Sequence, residues 1–234
     1  MNLAEQVSRH QVDRVWMPQP EAHLRGVRDR THFEWARDRL MEGTGIRGND
    51  VLYLSHAYND PEREKFIEPV RVLDVGCYDG WLDFLLLRGC ISKRSLHIDG
   101  LELIPNLCAS AKAYAEANKV ENFRSIEGSI LGPREPPLLE LGSYHAAMCF
   151  EVLEHIPFED VGPWLDIMES LCRPGGRILL SLPDQKHEDN PQHLWTPTKP
   201  VIDDLLKHKK GATVEYRSYP GTDIPGNFFI QYLA

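Results

Sequence analysis

The stretch VRVLDVGCYDGWLDFLL, Val70–Leu86, decides how the rest of the chain is read. An apolar run closes at Asp74 and Val75, Gly76 and Gly80 interrupt it, and a second apolar run follows. The first run reads as a buried strand and the second as a helix closed by Gly89. A strand, a glycine bend and a helix open the kind of sheet whose ligands sit beyond the carboxyl ends of its strands. The glycines do not fit G-x-G-x-x-G, because Tyr78 and Trp81 stand at the two later positions. A G-x-x-x-x-G-K-[ST] loop is absent too. Two carboxylates at strand ends would repel a phosphate, whereas they suit a cationic or hydroxyl-bearing ligand.

Working outward, the alternation continues. SLHIDG reads as a second strand ending in Asp99, NFRSIEG as a third, YHAAMCFEV as a fourth and RILLSLP as a fifth. IPNLCASAKAYAEAN, VGPWLDIMESLC and KPVIDDLLKHKK read as helices. TVEYRSY and NFFIQYL have only a glycine–proline segment between them, which predicts an antiparallel pair. The fold class expected is α/β, a seven-stranded, mostly parallel sheet with helices on both faces and a C-terminal antiparallel strand pair. Asp74, Asp99, Ser129 and Glu151 then lie near the ends of four successive strands and face one crevice. Residues 1–67 carry mixed helical signals, including AHLRGVRDRTHFEWARDRLMEG and PEREKFI, and are read as an N-terminal helical extension. Residues 68–234 form the main domain.

Composition sets limits. The chain has 234 residues, 42% of them hydrophobic, enough for a substantial core. The formal charge is −9, with 35 acidic against 26 basic residues, which argues against a protein that grips nucleic acid mainly through phosphates. RGVRDR and KHKK are the basic candidates, and both read as solvated helix faces. No run is long and apolar enough to span a bilayer, so no membrane partner is expected. The start, MNLAEQVSRHQVDRVW, lacks the apolar core of a secretory signal. Five cysteines without a CxxC pair predict reduced thiols and a cytoplasmic location.

VLDVGCYDGWL resembles motif I of the class I S-adenosylmethionine-dependent methyltransferases, whose common form is D/E-x-G-x-G-x-G. Asp74, Gly76 and Gly80 match, and Tyr78 stands where the middle glycine is usual. LHIDG resembles the second motif, whose acidic residue binds the cofactor ribose, and Asp99 matches it. IEGSI falls where the family contacts the adenine, with Ser129 in place of the usual aspartate. CFEVLEHIP resembles the strand-four motif, and LCRPGGRILLSLP the segment leading into strand five. The resemblance covers residues 68–234, with its strongest motifs in 70–184. It implies a Rossmann-like fold and S-adenosylmethionine as cofactor, with Asp74, Gly76, Tyr78, Gly80, Asp99, Ser129 and Glu151 around it. The ring of Tyr78 either packs against the methionine portion of the cofactor or fills the space of a looser turn.

EVLEHIP contributes Glu151, Glu154 and His155, whose spacing puts all three on one face if a helical turn starts there. Three readings stand side by side. His155, with His193 of PQHLWTPTKP, can remove a proton from a hydroxyl acceptor. The carboxylates and imidazoles can bind a divalent metal, a pattern similar to that of small-RNA 2′-O-methyltransferases. The same segment also resembles small-molecule methyltransferases of the ubiquinone-biosynthesis type. Or the side chains brace the loop. The catalytic candidates are His155 and His193, no metal ligand is assigned, and the other histidines carry no role. Trp35, Trp164 and Trp195 are core residues or walls of an acceptor pocket. The leading reading is O-methylation of a small molecule such as a sugar, phenol or natural-product intermediate. The alternatives are metal-dependent RNA ribose 2′-O-methylation and a non-catalytic binding protein on the same fold. The extension is a candidate contact for a partner or a second copy of the chain.

Overall fold

The structure, a computed structural model, describes residues 22–43, 69–89, 96–131, 139–184, 192–219 and 226–234. In chain order its elements are α1 (Ala22–Gly43), β1 (Val70–Val75), α2 (Trp81–Gly89), β2 (Leu96–Glu102), α3 (Pro105–Ala117), β3 (Phe123–Glu127) and β4 (Tyr144–Phe150). A short 3₁₀ turn (Leu153–His155) follows, then α4 (Phe158–Leu171), β5 (Cys172–Pro183), α5 (Lys199–Leu206), β6 (Lys210–Arg217) and β7 (Asn227–Leu233). The expected helix PEREKFI and the loop at 220–225 lie outside the described residues.

The strands form one sheet in the order β3-β2-β1-β4-β5-β7-β6. β1 pairs in parallel with β2 and β4, β2 with β3, and β4 with β5. β7 runs antiparallel between β5 and β6. The seven-stranded, mostly parallel sheet with a reversed final pair is therefore the fold the alternation predicted. The chain reverses direction across the sheet between β1 and β4, which opens a crevice at their carboxyl ends.

The period-two rule sorts the core. Leu73, Val75, Ala147, Cys149, Ile178 and Leu180 point to one face, where Trp164, Leu165 and Met168 of α4 and Ile202 of α5 cover them. Val72, Ile98, Ala146, Met148 and Leu179 point to the other face, under Trp35 and Leu40 of α1, Phe84 and Leu86 of α2, and Ala111 of α3. α1 is thus bound to the sheet by buried aromatic surface. Trp35 is 1% exposed, and truncating a residue of this kind costs about 3–5 kcal/mol.

Three boundaries differ from the expectation. β5 begins at Cys172, and a bulge opposite Tyr144–Ala146 takes up the RPGG segment. α5 ends at Leu206, and the basic run after it is paired: Lys207 with Asp204, and Lys209 with Asp166 and Glu169. β2 does not end at Asp99; it continues to Glu102. At Gly100, the next residue, a Cβ would lie 2.7 Å from Cys77 Sγ and 3.0 Å from Phe123. Close packing explains this glycine, and no turn does.

Candidate active site

The bend after β1 is a backbone cradle. Gly76 and Gly80 have φ of +79° and +75°, where L side chains are strained. Tyr78 takes the same left-handed conformation at φ +57°, so the bend survives without its middle glycine. Gly76 N–H donates to the Leu101 carbonyl at 2.8 Å and Gly80 N–H to Cys77 at 3.0 Å. A Cβ on Gly76 would meet Val152 Cγ2 at 2.4 Å, so the bend lies directly against the segment that follows β4.

Glu102, buried at the carboxyl end of β2, ties this cradle together. Its Oε2 accepts from Tyr78 N–H and its Oε1 from Ile104 N–H, each at 2.8 Å. Burial raises its pKa, and the backbone donors oppose that rise. With Leu103 N–H as a third backbone donor, the carboxylate has room for one further donor such as a ribose hydroxyl. Ser129 lies just past β3, where its Oγ accepts from Leu131 N–H at 3.2 Å.

Asp99 was expected in this position and does not occupy it. It sits inside β2, level with Leu73 of β1 and Arg124 of β3. Three residues of strand separate it from Glu102, about 10 Å along the sheet, and an odd offset turns the side chain to the opposite face. Its carboxylate accepts from Arg124 Nε and Nη2 at 2.9 and 2.7 Å and from Tyr144 Oη at 2.6 Å. That is a bracing ion pair away from the crevice.

Asp74 lies on the second-last residue of β1 and is buried, as is Asp83 of α2. Deprotonated, neither oxygen of Asp83 has a hydrogen-bond donor among the described residues. Protonated, it donates to Asp74. Burial pushes Asp74 up to about 7, with the Asp83 hydrogen bond working against the rise and the Glu102 charge adding to it. Burial and the Asp74 charge hold Asp83 well above the ordinary carboxyl range.

The segment after β4 does not put its three acidic and imidazole groups on one face. The helical turn begins only at Leu153, and Glu151 precedes it at φ +58°. Glu151 consequently turns toward β5 and β7: its Oε1 accepts from Ser181 Oγ at 2.7 Å and from Asn227 Nδ2. Glu154 and His155 stay together, and His193 joins them. Their ligating atoms lie within 4.8 Å of one another, and the two imidazole rings are 4.8 Å apart. Leu194 N–H donates to the Glu154 carbonyl at 2.7 Å, and Trp195 Nε1 to the Leu153 carbonyl at 2.9 Å, which fixes the His193 segment to the turn. Phe158 and Trp195 meet edge to face at 5.1 Å beside it. Trp35 and Trp164 are core. His155 Nδ1 lies 3.2 Å from the Gln192 carbonyl oxygen. A carbonyl only accepts, so Nδ1 carries the proton and Nε2 of the neutral ring presents a lone pair.

The sheet order, the glycine bend and the acidic end of β2 define a class I S-adenosylmethionine-dependent methyltransferase fold. Residues 51–221 match the family described as a methyltransferase domain, and the chain belongs to it. A ubiquinone biosynthesis O-methyltransferase of Xanthomonas axonopodis pv. citri is 30% identical over 132 residues, 54% of this chain and 50% of that protein. The chain therefore matches about half the length of this curated relative. Among solved structures, a Haemonchus contortus phosphoethanolamine N-methyltransferase, in complex with S-adenosylhomocysteine, aligns with a TM-score of 0.56 at 14% identity, over 76% of this chain and 51% of that one. The [4+2]-cyclase SpnF aligns with a TM-score of 0.55 at 12% identity, over 74% of this chain and 77% of that one. The fold thus also serves a protein named for a different reaction.

The cradle fits the cofactor of this family. It offers a bend that tolerates no Cβ at Gly76 and carboxylates for hydroxyl and ammonium groups. Among the described residues no helix is long and apolar enough to cross a membrane, and Cys77, Cys108, Cys149 and Cys172 are free and buried.

Proposed function

We propose that this protein transfers a methyl group from S-adenosylmethionine to an oxygen of a small acceptor, with His155 taking the acceptor's proton. Gly76, Tyr78 and Gly80 shape the donor cradle, Asp74 lies beneath it, Glu102 receives the ribose hydroxyls, and Ser129 lies where the adenine enters. The bound cofactor supplies an electrophilic methyl group on sulfur. The chain's own residues then have to align the acceptor, exclude water and hold its proton.

The observation that carries the reading is the state of His155. Its Nδ1–H is committed to the Gln192 carbonyl, and its Nε2 lies 3.9 Å from Glu154 Oε1. A proton arriving at Nε2 is stabilised by that carboxylate, and the His193 ring stacked edge-on limits rotation. Val152 against Gly76 puts this turn next to the donor cradle. A hydroxyl acceptor needs such a base, and the curated relative named above is an O-methyltransferase.

The test has two stages. Calorimetry should detect S-adenosylmethionine and S-adenosylhomocysteine, with NAD as the silent control. Single-turnover transfer to a panel of phenols, sugars and hydroxy acids should then fall about 10²–10⁴-fold in His155→Ala, with donor affinity unchanged. Parental rates in His155→Ala and His193→Ala would end the base assignment.

A second reading is favoured by one observation, the close set of Glu154, His155 and His193. One carboxylate and two imidazoles suit a divalent cation, which would activate the acceptor oxygen directly. Chelation should then abolish transfer and a divalent ion restore it, whether the acceptor is a small molecule or an RNA ribose. Full activity after chelation, with no metal bound, removes this reading.

A further inference from the structure

Asp83 belongs to no motif, yet it lies wholly buried in the first turn of α2, three residues after Gly80 of the cradle. An acid in the first turn of a helix ordinarily answers the free N–H groups there. That account fails for Asp83, because neither of its oxygens accepts a hydrogen bond from those groups or from any other described residue. What faces it is Asp74, itself 4% exposed, on the second-last residue of β1. The other titratable groups acting on the pair are Glu102 of β2, Cys77 of the bend and Cys149 of β4, and all three are acids.

Two carboxyls in contact, ringed by further acids, cannot both be charged. An ionised Asp83 would be a bare charge in the interior, so it is the partner that keeps its proton. Its hydroxyl then donates to Asp74, the less enclosed of the two. Stability gives no reason for an acid in this place, since a leucine of similar volume would fill it with no carboxyl to desolvate. Asp74, by contrast, has a use for charge. It precedes the bend that Gly76, Tyr78 and Gly80 shape, and a cation held in that bend favours the ionised carboxylate.

We propose that Asp83 is a positioning residue of the methyl-donor site: it remains a carboxylic acid, hydrogen-bonds Asp74, and so allows Asp74 to ionise when the cationic methyl donor arrives. The assignment rests on the donor cradle of the methyl-transfer reading above. On binding, Asp74 gives its own proton to solvent, the positive charge of the methyl donor replaces it, and Asp83 keeps its hydrogen. Burial brings Asp74 to about 7, so the exchange falls near neutral pH. Below that pH the empty site holds a proton that the methyl donor must displace, and above it Asp74 is already ionised.

The test titrates S-adenosylhomocysteine, whose ammonium is charged up to pH 7, into the parent, Asp83→Leu, Asp83→Asn and Asp74→Asn. Calorimetry in two buffers of different ionisation enthalpy counts the protons released, and thermal melting checks folding. The parent should release about one proton per ligand at pH 6 and about half a proton at pH 7. Asp83→Asn keeps a neutral hydrogen-bond donor beside Asp74, so its affinity and proton count should stay within about twofold of the parent's. Asp83→Leu removes that donor, so at pH 7 its Kd should rise about tenfold and its proton count should approach one. Asp74→Asn should release no proton. A parent that binds neither S-adenosylhomocysteine nor S-adenosylmethionine overturns the methyl-transfer reading itself. Binding with no proton released at pH 6, release that survives Asp74→Asn, a folded Asp83→Leu with parental Kd, or an Asp83→Asn as weak as Asp83→Leu each overturns this proposal and spares that reading. If Asp83→Leu does not fold, infrared difference spectra of the parent decide: the carbonyl band of a protonated carboxyl should weaken when S-adenosylhomocysteine binds at pH 6, and an unchanged band overturns the proposal.

Discussion

Around Gly76 and Glu102 the crevice is made of backbone, whereas around His32 and His193 it is made of side chains. On the donor side, left-handed residues and peptide N–H groups within two adjacent strands and their loops do the shaping, and a single carboxylate gathers them. Around His32, Glu151 and His155, side chains from α1, the turn after β4, β5, the segment after β5 and β7 hold the structure together. Backbone geometry tolerates few substitutions, because the strain falls on atoms every residue shares. Side-chain geometry tolerates many, because each contributor can be exchanged while the chain path stays. Such a division lets one donor site serve different acceptors.

The comparison breaks most readily at Gly76. Gly76→Ala combines a left-handed φ with a Cβ 2.4 Å from Val152 Cγ2, and it should destabilise the fold by about 2–4 kcal/mol. Denaturant midpoints measure the loss, and the donor should no longer bind at micromolar concentration. A stable, donor-binding Gly76→Ala would mean that the backbone side is as adaptable as the other.

Glu102 and Asp99 sharpen the same contrast. Glu102→Ala removes the acceptor of two backbone N–H groups, so donor affinity should fall about tenfold or more. Asp99→Ala removes ion pairs on the opposite side of the sheet, so calorimetry should find donor affinity within about twofold. The reverse ranking would return the ribose contact to Asp99.

The smallest expected effect concerns Asp83. Below the ordinary value of 3.8, folded and unfolded chains both hold the Asp74 proton, and the dyad adds no pH dependence. As pH rises toward about 7 the unfolded chain releases its proton while the folded chain keeps it, so stability falls. Above that pH the folded Asp74 carboxyl ionises as well, and the Asp74 share of the loss levels off. Asp83→Asn supplies a neutral donor to Asp74, so its melting temperature should exceed the parent's at neutral pH and vary less between pH 4 and 7. Parallel melting curves for the two proteins across that range would dismiss the dyad.

Much of the fold was legible because strand and helix periods are local. The sheet's two faces follow from alternate residues of β1, β4 and β5, and the glycine bend announces itself. The site was legible only in part. Asp99 was chosen because it was read as the end of its strand and matched the acidic residue of the second motif; the strand runs on to Glu102, and the close approach of Cys77 and Phe123 at Gly100 is a tertiary contact that no local pattern shows. Glu151 was grouped with Glu154 by spacing, which presumes a helix that starts two residues later. His155 and His193 were named together from their segments, and their rings do meet. His32 gave no signal at all, since its partner Ser181 is 149 residues away.

The placing of β7 between β5 and β6 has a consequence for the nascent chain. Among the described strands β6 pairs with β7 alone, and the β5 edge that β7 covers has no such partner until Asn227–Leu233 has been synthesised. During that interval Ile178, Leu180 and Leu182 belong to an unpaired strand edge, the kind of surface that recruits other strands. The strand that pairs this edge also carries Asn227 to Glu151. Closure of the β5 edge and the Asn227–Glu151 contact therefore arrive in the same step of biosynthesis.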